Sequence, residues 1–73
     1  MEDRFQYMAV GEETFSTIKV YGICEHLNST YEGNNVRLLD GTEITCEKII
    51  PLNIWQEYVD ERCATVKIIK IKK

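Results

Sequence analysis

Histidine and proline each occur once, and no apolar run is long enough to cross a bilayer or to form the core of a signal peptide. With an acidic opening, Met1-Glu2-Asp3-Arg4, the chain reads as cytoplasmic and without a membrane segment. Cysteine is limited to Cys24, Cys46 and Cys63, an odd number at wide spacings, which fits reduced thiols better than a disulfide framework. The four glycines are scattered, so no glycine-rich loop is present to cradle a phosphate. There is no internal repeat, linker or low-complexity stretch. Lysine and arginine number 9 against 12 aspartate and glutamate, a net charge of −3, and that balance argues against a dedicated duplex-DNA binder.

What is present is one small domain. The 73 residues leave room for a single core. A domain of this size buries only about 60% of the surface that its unfolded chain exposes. Oligomerisation, a metal or a partner would therefore help to hold it. A hydrophobic content of 44% is too high for a disordered chain.

A single histidine restricts the available chemistry. Cys24 and His26 are two apart and would point the same way on a strand; with Cys46 and Cys63 they would make a zinc set of three cysteines and one histidine. Structural zinc ligands usually come in close pairs, whereas Cys46 and Cys63 stand alone, and Cys46 suits an apolar strand face. Buried thiols are the expected reading, with no metal and no cofactor. No oxyanion loop or recognisable motif surrounds Cys24 and His26, so catalysis is not expected. The carboxylate pairs Glu12-Glu13 and Asp60-Glu61 read as solvated.

The order of elements follows from periodicity. Arg4 to Val10 alternates with Phe5, Tyr7 and Ala9 on one face and predicts a short strand ending at Gly11, followed by a polar break at Glu12-Glu13. Thr14 to Glu25 is rich in β-branched and aromatic residues; Ile18 and Val20 share one face, Lys19 and Tyr21 the other. That alternation breaks at Gly22, which predicts a bulge or bend. His26 to Asn35 carries many turn-forming residues and reads as a loop. Val36 to Cys46 predicts a hairpin: a three-residue loop of Leu39, Asp40 and Gly41 pairs Val36 with Ile44 and keeps Val36, Leu38, Ile44 and Cys46 on one apolar face. Pro51 closes the following strand. Asn53 is the predicted cap of a helix running to Arg62, with Ile54, Trp55, Tyr58 and Val59 on its apolar stripe and Glu57, Asp60 and Glu61 facing away. Ala64 to Ile71 is a lysine-punctuated strand whose parity shifts between Ile68 and Ile69.

These elements predict a mostly β fold, a small antiparallel barrel with one short helix before the last strand. The strand order resembles an SH3-like barrel if the first segment is a strand, and an oligonucleotide-binding (OB-like) barrel if it is not.

The expected function is binding. Short acidic chains of this kind resemble, as a loose class, small bacterial and phage regulators and inhibitors that cover a partner's working surface. A protein partner would meet the acidic helix face, Glu57, Asp60 and Glu61, with the N-terminal acids assisting encounter. Lys19, Tyr21 and Tyr31 are further candidate contacts. With Arg37 and the terminal lysines, those three would instead serve a single-stranded nucleic acid. As a third reading, the segment Val66–Ile71 would pair with its copy in a homodimer. The lysines of that segment also suit a solvated edge guarded against aggregation.

Overall fold

A computed structural model describes residues 4–70. The element order is β1 (Tyr7–Glu13), β2 (Thr17–Thr30), β3 (Gly33–Leu38), β4 (Glu43–Cys46), β5 (Lys48–Pro51), α1 (Leu52–Arg62) and β6 (Thr65–Ile68). The mostly β class is as expected. Six strands form one sheet in the order β4-β3-β2-β1-β5, with β6 alongside β2.

The sheet is not a closed barrel, which corrects the expected architecture. Its two end strands, β4 and β5, are consecutive in the chain and separated only by Glu47, so the sheet curls on itself. All pairings are antiparallel except that of β6, which runs parallel to β2. The helix explains the exception. β5 is antiparallel to β1 and β1 to β2, so β5 and β2 share a direction. A helical crossover returns the chain to start a strand in that same direction.

The bulge at Gly22 is present. Ala9 pairs with Gly22 and Val10 with Val20, leaving Tyr21 as the extra residue. Neighbouring strand residues point to opposite faces, so this shift lets β2 serve two cores. Ile18 and Val20 join Val10 and Ile50 on one face, where Trp55, Tyr58 and Val59 of α1 cover them. Cys24 joins Ala9, Val36, Leu38 and Cys46 on the other. Fully burying an aliphatic side chain such as Ile18 or Val20 contributes roughly 1.5–3 kcal/mol.

Several boundaries differ from expectation. β1 continues through Gly11 to Glu13, because a Thr14–Thr17 turn (Thr14 N–H to Thr17 O, 2.8 Å) moves the break past the glutamates. Gly11 is buried under the Tyr21 ring and Ile69, where a Cβ would lie 3.1 Å and 2.8 Å from their nearest atoms. His26 to Asn35 is no loop: β2 and β3 stay paired to Thr30 and Gly33, turning only at Tyr31-Glu32. Side chains brace that ladder, with Asn35 Nδ2 donating to Asn28 Oδ1 (2.8 Å) and Ser29 Oγ to Asn34 Oδ1 (2.9 Å).

The helix begins at Leu52 with Pro51 in the capping position and no side-chain cap, so Asn53 lies inside it. The Leu52 N–H instead donates to Gln6 O at 2.8 Å. At the other end Cys63 adopts the left-handed conformation, φ 49°, while the Cys63 and Ala64 N–H groups return to Asp60 O and Val59 O. That pair of bonds satisfies two of the last helical carbonyls, those of Val59 and Asp60.

Candidate functional site

The residues singled out from sequence fall in separate places. Lys19 lies near the start of β2, and its Nζ is 3.2 Å from Glu12 Oε1. Tyr21 is half-buried at the bulge and packs on the Cys24 cluster, so its ring is no free stacking platform. Tyr31 is fully exposed at the β2–β3 turn, beyond the far end of the same strand. Glu57, Asp60 and Glu61 are exposed on α1 as expected. Gln56 donates to Asp60 at 3.0 Å, and Ile54, expected on the apolar stripe, is itself exposed among these residues. Glu2, Asp3, Ile71, Lys72 and Lys73 lie outside the described residues.

The zinc alternative is not assembled. Cys24 and Cys46 are buried in one cluster, whereas Cys63 is exposed at the end of α1. His26 is exposed on β2, bonded to Ser29 at 3.1 Å and edge-on to the Tyr7 ring. Among the described residues no three of His, Cys, Asp and Glu come together as a metal-holding group. Burial pushes the Cys24 thiol up to about 12, with Cys46 nearby adding to the effect, and burial raises Cys46 too.

Much of the charge is committed inside the molecule. Tyr58 Oη donates to Glu13 Oε1 at 2.7 Å, Lys48 Nζ lies 3.2 Å from the same oxygen, and Arg62 Nε bonds Glu13 Oε2 at 3.2 Å. Arg62 also stacks over the Tyr58 ring at 3.7 Å. Glu13 is therefore no solvated carboxylate: the Tyr58 bond above all, then Lys48 and Arg62, hold it below its usual range against an opposing effect of burial. Arg37 is held between buried Glu25 (2.8 Å) and Glu43 (3.0 Å), which raises its own value, Glu43 contributing most.

The clearest unsatisfied surface is β6. All four of its residues are exposed, Ile68 to 64 %, and among the described residues it is paired along one edge only, with Thr17–Val20 of β2. Fully exposed Phe15 precedes Ser16, whose carbonyl accepts the Thr65 N–H at 2.9 Å, so an aromatic stands beside the start of this strand. The lysine punctuation marked the segment as an edge in the sequence. Phe15 carried no such signal, since it falls in a turn whose place depends on where β1 ends. A separate open hollow of about 640 Å³ lies between Phe5–Tyr7 and Pro51–Asn53, with no buried charged side chain in its lining.

The fold thus defines the class: a small, curled, mostly antiparallel β domain with one helix packed on one sheet face. No protein-family model matches the chain, and neither do any curated protein or solved structure. No helix among the described residues is long and apolar enough to cross a membrane.

Proposed function

We propose that this domain is a non-enzymatic protein-binding module that covers part of a partner's surface, as small regulators and inhibitors do. The observation that carries the reading is the open edge of β6. An exposed strand edge bearing apolar side chains is a template for another chain's backbone and side chains. The outward acids of α1, Glu57, Asp60 and Glu61, offer a second contact to a basic patch on the same partner.

The competing nucleic-acid reading draws on Lys19, Tyr21, Tyr31, Arg37 and the terminal lysines, of which Lys72 and Lys73 lie outside the described residues. It is weakened because Glu12 holds Lys19, Glu25 and Glu43 hold Arg37, and Tyr21 is packed. Phosphate contacts need cations that are free to displace counterions.

The test is affinity capture at low salt from lysate divided into nuclease-treated and untreated halves, followed by amine-reactive cross-linking. A stoichiometric protein that survives nuclease, cross-links to Lys67 or Lys70, and is weakened by Glu57→Lys with Glu61→Lys supports the module. Failure to retain any protein, or recovery that vanishes with nuclease, overturns it.

A further inference from the structure

The β2–β6 ladder determines which groups of β6 remain available. Thr65 N–H donates to Ser16 O at 2.9 Å and Ile69 N–H to Val20 O at 2.7 Å. In a parallel ladder, alternate residues of a strand bond one neighbour. Thr65, Lys67 and Ile69 therefore turn their backbone groups toward β2, and Val66 and Ile68 turn theirs to the open edge. Val66 lies beside Ile18 and Ile68 beside Val20, so their side chains share the sheet face that α1 covers. Lys67 lies on the opposite face, directly across from Lys19.

Two ammonium groups side by side on one face repel. Lys19 is compensated by Glu12 at 3.2 Å, whereas Lys67 has no carboxylate partner among the described residues. The position that would supply one is next to Lys67 on the open side. A second copy of β6 cannot do so, because residues 64–70 contain no acid. The two-fold pairing centred on Lys67 would also set Lys67 against Lys67.

We propose that the open edge of β6 accepts an extended segment of a partner protein with an apolar–acidic–apolar alternation. Its backbone bonds Val66 and Ile68, its apolar side chains lie beside theirs, and its carboxylate lies beside Lys67. The pattern is the same for either strand direction, because side-chain alternation is. This occupant rests on the protein-binding reading above.

The test uses the full isotope-labelled chain, titrated with a capped Thr-Val-Glu-Val-Glu-Val-Thr peptide and with its counterpart carrying lysine for glutamate. Saturable NMR shifts and slowed hydrogen exchange are expected at the Val66 and Ile68 amides. The glutamate peptide should bind about tenfold more tightly than the lysine peptide, as a charge-pair reversal across a strand implies. Lys67→Glu should reverse that preference; Lys67 is exposed, so the core is untouched. Equal binding of both peptides, shifts confined to other elements, or an edge already occupied by self-association would overturn the proposal. If the captured partner is retained while Lys67→Glu leaves both peptide affinities unchanged, the module reading stands and this occupant falls. If capture fails too, both fall.

Discussion

Tyr58 of α1 and Glu13 of β1 are joined by a 2.7 Å hydrogen bond, 45 residues apart in the chain, and around it the helix is fastened to the sheet. The helix has no fully buried residue, so it relies on half-buried Trp55, Tyr58 and Val59 and on this polar contact. Tyr58→Phe keeps the ring under Arg62 but removes the donor to a carboxylate. The expected cost is about 1–2 kcal/mol, read from urea unfolding. An unchanged midpoint would mean that packing and the Arg62–Glu13 pair hold the helix without the hydroxyl.

The same contact makes stability depend on pH. Glu13 titrates below its ordinary value of 4.5 in the folded chain, chiefly because of the Tyr58 hydroxyl and then Lys48 and Arg62. Its folded value is lower than its unfolded one, so the stabilisation is present above the ordinary carboxylate value and is lost as pH falls through the lowered one. Glu13→Gln should therefore be less stable than the native chain at pH 7, with the gap closing as the solution is acidified. Unfolding curves at a series of pH values between neutral and about 3 check this. A gap that stays constant would show that the carboxylate's charge does not matter.

How much of this was legible depended on whether the deciding contact is local. The Leu39-Asp40-Gly41 loop was readable because parity alone sets Val36 against Ile44, the register observed. The bulge at Gly22 was readable because Ile23 breaks an alternation. By contrast, Asn28, Ser29, Asn34 and Asn35 each favour turns singly, yet form a braced ladder when β2 and β3 stay paired. Glu13 looked solvated because its partners Lys48, Tyr58 and Arg62 are distant in sequence. For the candidate surface, lysine spacing marked the β6 edge and helical period the exposed acids of α1. The packing of Tyr21 on Gly11 and the Lys19–Lys67 apposition needed the topology.

Glu25 and Arg37 should behave as a coupled pair. Glu25 is buried and Arg37 Nη1 bonds its Oε2 at 2.8 Å, so Arg37→Met alone strands a carboxylate with little water. Adding Glu25→Gln removes the stranded charge and should restore part of the lost stability. A double-mutant cycle measured by urea denaturation gives the sign. Strict additivity would indicate that Arg4, 4.0 Å from Glu25, takes over as its partner.

Two glycines with similar positive φ should respond differently to alanine. Gly33 has φ +143°, and a Cβ there would lie 2.6 Å from the Cys46 carbonyl oxygen, a backbone atom that cannot move without displacing β4. Gly22 has φ +138° with open space around it. Gly22→Ala should cost about 1–2 kcal/mol through backbone strain alone, and Gly33→Ala clearly more. Thermal unfolding of the two variants ranks them; equal losses would show that the β3–β4 contact yields to the added methyl.

The three cysteines should react in an order set by burial. The thiolate is the reactive form, and Cys24, pushed up to about 12 by burial and by nearby Cys46, is almost wholly protonated at pH 8. Cys46 is buried in the same cluster and raised in the same direction, while Cys63 is exposed at the left-handed end of α1. Iodoacetamide at pH 8 should therefore modify Cys63 first, and Cys24 and Cys46 only as denaturant opens the core. Mass spectrometry of the alkylated chain resolves the three sites. Early modification of Cys24 would mean that the sheet opens between β2 and its neighbours well below the global transition. Its rate against denaturant would then measure how firmly the curled sheet closes over that cluster.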